Sequence, residues 1–337
     1  MAASDVTETV RDHVLATHRE LVSGAARVTV AVRKPRTLLP YSSHQQYQCV
    51  LEAVDDLGGR RRVRIFAKRA PQVEHRNLKQ LWGLLGGLPD VHIPKPLAYI
   101  SEKKLLLMEH VAGRPMMPLL LLGCTPLAGR LVRRRLHQAI EQAGAALARF
   151  HNGVAAPGTP WYTEDRVREL AGQLEVLEHF EADEQRRIAS TLEASMSTLT
   201  GLPMRLSHCE FGPRNVMVSE DGVAIIDWPH LSKHNLFYDA HLFLCSVLGL
   251  RRRFPWAGAK LEGMNRRFVE AYLAELQIED GRRRFDESRL LNLIEIVLRA
   301  HRRLKHSRSP RVFRRAQKYI EFLTEQILRA TEPRARA

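Results

Sequence analysis

The spacing of apolar residues changes character along the chain. Val10, Val14, Leu15 and Leu21 recur roughly in helical period, which predicts an N-terminal helical segment over residues 1–25. From 26 to 111 the pattern reads mostly as strands. Val28–Val32 and Tyr47–Val54 are apolar runs, and Arg62-Val63-Arg64-Ile65-Phe66-Ala67-Lys68 alternates before turning apolar. One helix interrupts them, with Glu74, Leu78, Leu81 and Leu85 at steps of four, three and four. A strand segment follows, His92–Tyr99, a turn, then Leu105–Pro115. From 112 to 332 helical spacing dominates. Leu136, Ile140, Ala143, Leu147 and Phe150 stripe a helix from Arg133 to His151, and the segment 152–205 holds two more, around Asp165–Phe180 and Asp183–Leu199. A hairpin breaks this helical half: Val216-Met217-Val218 and Val223-Ala224-Ile225-Ile226 flank a turn containing Asp221-Gly222. The chain shows no internal repeat and divides by pattern rather than by a linker.

The hairpin gives the polar residues around it a use. Glu210 and Asn215 lie on the loop before it, and Asp227 closes its second strand. Carboxylate and amide oxygens gathered at a strand end suit a hard cation such as Mg²⁺ beside phosphates. The stretch His208-Cys209-Glu210, four residues, Asn215, then Ile226-Asp227-Trp228 resembles the catalytic and metal loops of the aminoglycoside phosphotransferase and choline kinase families, relatives of protein kinases. Their usual pattern is His-Gly-Asp, four residues, Asn and a hairpin ending Ile-Asp-Trp. Cys209 replaces the glycine here, and Glu210 replaces the aspartate.

The resemblance implies an α+β, bilobal protein kinase-like fold. Its N-lobe, 26–111, is a small antiparallel sheet with one helix; its larger helical C-lobe, 112–332, holds the catalytic loop 206–228 and the insertion 152–205. It also implies ATP and Mg²⁺. In that scheme Lys68 contacts the phosphates and Glu74 holds it extended, while backbone groups near Glu109 and Val111 meet adenine. Asn215 and Asp227 hold the metal, Glu210 orients the acceptor hydroxyl, and His208 braces the loop. Arg214 meets acceptor or solvent, Cys209 is a small buried filler, and Asp239, in Tyr238-Asp239-Ala240, supports the loop from below. No G-x-G-x-x-G covers the phosphates. Arg33–Ser43 stands in that place, as a β-turn with a basic edge or, through Lys34, Arg36, Ser42 and Ser43, as a phosphate contact.

Glutamate keeps the charge of aspartate but moves the carboxylate by about a bond length, and misplacement of about 1 Å can cost on the order of 10²-fold in rate. Two expectations follow. One is a phosphotransferase acting on a hydroxyl of a small molecule or glycan; the other is a nucleotide-binding pseudokinase serving as scaffold or sensor.

Composition adds three points. At 337 residues with 45% hydrophobic content, the chain can bury a core shared by two lobes. Cys49, Cys124, Cys209 and Cys245 have no paired spacing, which suits reduced thiols. The polar start is unlike a signal peptide, and the longest apolar run, Pro115–Gly123, is shorter than the ~18 residues of a membrane span. A cytoplasmic protein without a transmembrane segment is expected.

The formal net charge is +15, and nine of the residues from 299 to 318 are Lys or Arg. Arg311, Arg314, Arg315 and Lys318 share one helix face, with Val312, Ala316, Ile320, Leu323 and Ile327 on another. A solvated back on a packed helix is the plain reading; an anionic acceptor, an anionic membrane surface or nucleic acid are the others. The lack of interleaved aromatics disfavours nucleic acid. The acceptor stays open, because Glu164, Asp165, Glu181, Asp183 and Glu184 suit a cation whereas the basic whole suits an anion.

Overall fold

The computed structural model describes residues 3–22, 25–33, 46–86, 91–160, 163–174, 180–305 and 310–332. The chain forms two units, Met1–Arg114 with Ala224–His230 and Pro115–Val223 with Leu231–Ala337.

In the first unit, helix α1 (Ala3–Leu21) precedes strands β1 (Ala25–Arg33), β2 (Gln46–Asp55) and β3 (Arg60–Arg69). Helix α2 (Gln72–Leu85) and strands β4 (Pro96–Ile100) and β5 (Leu105–Glu109) complete it. The sheet runs β1-β2-β3-β5-β4 and every neighbouring pair is antiparallel. Period-two alternation decides what each face holds. Tyr47, Cys49, Leu51, Ile65, Ala67, Leu105 and Leu107 join Val6, Val10 and Val14 of α1 in one apolar cluster. Lys68, one residue beyond Ala67, points the other way and pairs in register with Gln46 and Leu106. Leu15, expected on the buried stripe of α1, is exposed, because the stripe runs through Val6, Val10 and Val14 instead. The basic candidate segment after β1, with Lys34, Arg36, Ser42 and Ser43, lies outside the described residues.

The second unit is mainly helical. It contains α3 (Met116–Gly123), α4 (Ala128–Gly153), α5 (Glu164–Leu174), α6 (Ala182–Ala194) and α7 (Met196–Leu199). After the loop region come α8 (Tyr238–Leu248), α9 (Gly258–Glu275), α10 (Gly281–Glu287), α11 (Arg289–Lys305) and α12 (Pro310–Ala330). A small antiparallel sheet, with Pro203–Ser207 between Ser232–Asn235 and Ala155–Pro160, lies among them. Helix α4 begins at Ala128, five residues before the expected Arg133, and carries Gly129 in its first turn. The first insertion helix is described to Leu174, and residues 175–179 of the expected span lie outside the described residues. Gly144 sets the approach of α4 to α9: a Cβ there would stand 2.4 Å from the Phe268 carbonyl oxygen. Aromatic rings fill the space beneath, with Phe243 and Phe268 stacked at 4.1 Å between centroids. On α12, Ile320, Leu323 and Ile327 are buried while Arg314 and Lys318 are exposed, as an amphipathic helix requires. No helix among the described residues is long and apolar enough to cross a membrane.

Candidate active site

The first unit gathers three of the expected residues. Lys68 Nζ lies 2.7 Å from Glu74 Oε1 and 2.5 Å from Asp227 Oδ1. Strand β3 delivers the lysine and the first turn of α2 delivers the glutamate. Burial works against the Lys68 ammonium, but Glu74 and Asp227 outweigh it and hold the lysine pKa above its ordinary value. Helix α2 also fixes the residue after Asp227. Trp228 N–H donates to Glu74 Oε1 at 3.2 Å, Asn77 Nδ2 donates to the Trp228 carbonyl at 2.8 Å, and the indole is fully buried. One residue upstream of that grip, Asp227 adopts a left-handed backbone with φ 70°. Its side chain keeps about a third of its surface exposed, at 38%, so the carboxylate can meet a ligand.

Glu109 and Val111 lie where β5 ends. Glu109 N–H donates to Lys95 O at 2.9 Å and His110 N–H to Arg64 O at 3.2 Å. The pairing of β5 carries the chain to Val111, which follows the last of these bonds.

The second unit holds the loop residues. His208 N–H donates to Asp239 Oδ2 at 2.6 Å and Cys209 N–H to Asp239 Oδ1 at 2.8 Å. Burial alone would raise the Asp239 carboxyl; His151 and His208, through hydrogen bonds and charge, outweigh it and hold the carboxyl below its ordinary range. His208 is buried, and its Nδ1 accepts the Glu210 N–H at 3.2 Å. Asn215 Nδ2 donates to Glu210 O at 3.0 Å, closing the loop on itself. Phe211 anchors it from beneath, packed on Phe243 with centroids 5.5 Å apart. Met117 N–H, at the start of α3, donates to Pro213 O at 2.9 Å. Arg214 is exposed. The turn after the loop is closed by Ser219 N–H on Gly222 O at 2.9 Å, with Gly222 at φ 133°, where glycine is needed.

Cys209 is more than a filler. Its φ of 64° is left-handed, the region in which glycine costs least. The thiol is buried, with Sγ 3.0 Å from Ser232 Oγ. Opposite it stands a polar group that pattern reading did not find. Arg299 of α11 donates to Cys209 O and lies 3.9 Å from Glu210 Oε1. His234 stacks on Tyr238 at 4.2 Å, and its Nδ1 is 3.6 Å from Glu295 Oε2. Burial would lower the His234 pKa; the neighbouring Cys209 and the Glu295 carboxylate outweigh it and hold it at about 9. A signal was present: Asn292, Glu295 and Arg299 follow helical spacing, the first two within the otherwise apolar stretch Leu290–Leu298, and polar residues on an inward face need partners.

Carboxylate and amide oxygens such as those of Asp227 and Asn215 suit a hard cation by chemistry; among the described residues no cluster of three or more His, Cys, Asp or Glu is placed to hold a metal ion.

Comparison with known proteins agrees with this architecture. The model of a family described as the phosphotransferase enzyme family matches residues 42–287. No curated protein sequence matches the chain. Among solved structures, an ethanolamine kinase of Plasmodium vivax is similar over 98% of this chain and 91% of its own, at 11% identity and a TM-score of 0.58. A glucosamine kinase is similar over 96% and 84%, at 15% identity and a TM-score of 0.57. The GDP complex of aminoglycoside 2′-phosphotransferase-IIIa is similar over 94% and 99%, at 14% identity and a TM-score of 0.51. At such identities the likeness is one of fold, and the fold is the mixed α+β, kinase-like one.

Proposed function

Because the chain belongs to the phosphotransferase enzyme family, we propose that it transfers the γ-phosphoryl group of ATP to a hydroxyl of a small molecule or glycan. The observation that carries this reading is the position of Lys68 Nζ between Glu74 Oε1 and Asp227 Oδ1. A buried ammonium held extended by a buried carboxylate is arranged to meet anionic oxygens, and a structural ion pair alone has no need of the second, half-exposed carboxylate.

In this reading Lys68 binds the α- and β-phosphates, and backbone groups at Glu109 and Val111 take the adenine edge. Asp227 and Asn215 would hold Mg²⁺, which supplies neutralising charge to the phosphates when bound. Glu210 orients the acceptor hydroxyl and accepts its proton as the bond to phosphorus forms. His208 and Asp239 keep the loop in place through the backbone contacts already described. The Arg299 guanidinium, 3.9 Å from Glu210 Oε1, helps to orient that carboxylate.

One observation favours the second reading, a nucleotide-binding pseudokinase. The Glu210 carboxylate lies 3.9 Å from the Arg299 guanidinium, a contact that competes with an acceptor hydroxyl for it. Calorimetric titration of ATP, with and without Mg²⁺, into wild type and Asp227→Ala tests the shared premise. Mg²⁺-dependent binding that the substitution abolishes supports both readings, and turnover with a panel of hydroxyl acceptors then separates them. Equal binding by both proteins, or none, removes the nucleotide site.

A further inference from the structure

The second unit has a surface that its own packing leaves unused. Helix α3 ends at Gly123 and α4 begins at Ala128, and the corner between them is apolar on the outside. Leu131 is 88% exposed, Leu127 81% and Leu122 46%. Trp256, 66% exposed, is fixed to the same corner by its indole N–H, which donates to Cys124 O at 3.1 Å. Lys260 Nζ donates to Gly123 O at 2.8 Å and pins the start of α9 there as well. Nine large hydrophobic side chains are exposed among the described residues, and four of them meet at this corner. Exposed leucines scattered singly need no explanation; a cluster does.

Cationic groups surround the cluster. Beside the corner lies a cavity of about 280 Å³, lined by the cations Arg133, Lys260 and Arg267 and by His137. Glu141, which takes Arg267 at 2.6 Å, offsets one of these charges. Burial, then the charge of Arg267, lower the His137 pKa, so the imidazole is neutral at pH 7 and free to share a hydrogen bond. Arg130 and Arg134 stand exposed on the same first turns of α4. Indole and leucine side chains flanked by guanidinium groups match the chemistry of a bilayer interface, where apolar groups enter the acyl boundary and cations meet phosphate. The charge rules out a cationic partner. It also works against a second copy of this basic chain, which would bring like charges together.

We propose that the α3–α4 corner docks on an anionic phospholipid surface, with Leu127, Leu131 and Trp256 entering the acyl boundary and the cavity of Arg133, Lys260 and Arg267 receiving a headgroup phosphate. The attachment is peripheral. It is independent of phosphoryl transfer, because it can be read without nucleotide.

The test is sedimentation of the full chain with vesicles of phosphatidylcholine alone or mixed with phosphatidylglycerol. The expected result is binding to the mixed vesicles at least tenfold tighter than to the neutral ones, weakening as salt rises. Leu127→Asp with Leu131→Asp, and separately Arg130→Glu with Arg133→Glu, each reduce it at least tenfold while thermal unfolding stays as in wild type. Trp256 emission shifts to the blue on vesicles, and W256F removes that shift. Absence of wild-type binding to either vesicle overturns the proposal. So does binding that both pairs leave intact and that only Arg314→Glu with Lys318→Glu removes, which would move the contact to the C-terminal basic helix. A dimer in size exclusion that the leucine pair dissolves, with no vesicle binding, would assign the corner to self-association instead.

Discussion

The amide of Cys209, on a backbone with φ 64°, donates to the carboxylate of Asp239 at 2.8 Å. A left-handed residue with a side chain costs roughly 1–2 kcal/mol relative to one without. The contact explains how the loop tolerates it: one buried carboxylate takes consecutive N–H groups, a concavity that only this backbone turn creates.

Cys209→Gly relieves the strain but loses the buried thiol contacts and loosens the unfolded chain, so the terms nearly cancel. Its unfolding free energy should change by less than about 1 kcal/mol. Cys209→Val, branched at Cβ, should lose more than about 2 kcal/mol. Urea denaturation of both variants measures the difference; a valine variant as stable as wild type would show that the turn is not strained.

Asp239 and His234 give the chain opposite pH responses. The folded pKa of Asp239 lies below the ordinary 3.8, so its contribution is present above that value and is lost as pH falls through the folded pKa. The folded pKa of His234 is about 9 against 6.5, so its contribution is complete below pH 6.5 and is lost as pH rises toward 9. That loss is on the order of 3 kcal/mol. Stability measured from pH 6 to 9 should fall in wild type and stay flatter in His234→Gln. Below pH 4, Asp239→Asn should be the flatter of the two.

Lys68 and Glu74 form a buried pair; removing Lys68 leaves Glu74 without a counter-charge, at a cost of about 3–5 kcal/mol, whereas removing Glu74 leaves the ammonium with Asp227 and costs less. Glu74→Gln keeps an acceptor for Trp228 N–H, so it should be milder than Glu74→Ala by about 1 kcal/mol in stability. Both should weaken ATP affinity, since Lys68 is then held by Asp227 alone. Calorimetry beside denaturation separates the two effects.

Glu210 and Arg299 test whether the loop is adapted to its longer carboxylate. Glu210→Asp should lower transfer by about 10²-fold, because the shorter side chain retreats from the acceptor. A rise in rate would instead mark a decayed enzyme. Arg299→Ala should reduce kcat more than it raises KM, since Glu210 loses the guanidinium that orients it. An unchanged kcat would leave Arg299 a purely structural role.

Much of this was legible in one dimension. The strands around Lys68 follow period two, α2 follows helical steps, and the hairpin turn carries its own Asp221-Gly222 signature. The resemblance carried by the 208–228 stretch is what singled out the candidate lysine and glutamate, and these elements supplied one of each in the order it asks for. Arg299 could not be named by the same route. It opens a run of nine cations that reads as a solvated face, and only tertiary packing turns this one inward to Cys209 O while Arg314 and Lys318 stay outside. The strain at Cys209 was written only as a glycine replaced. Leu15 misled because two apolar stripes can be drawn on α1, and the sheet accepts one. The corner at Leu127 and Leu131 carries no pattern at all, since exposed leucines and buried ones look alike until the helices are packed.

The bond from Met117 N–H to Pro213 O gives α3 a mechanical meaning. One end of that helix is fastened inside the loop from His208 to Asn215 and the other terminates at the exposed corner. Its 8 residues, rising 1.5 Å each, make a strut of about 12 Å. A strut of fixed length sets a working height. Anything anchored at the corner would hold the loop a constant distance above the anchor plane, so reach, as much as recognition, would select which hydroxyl is presented to it.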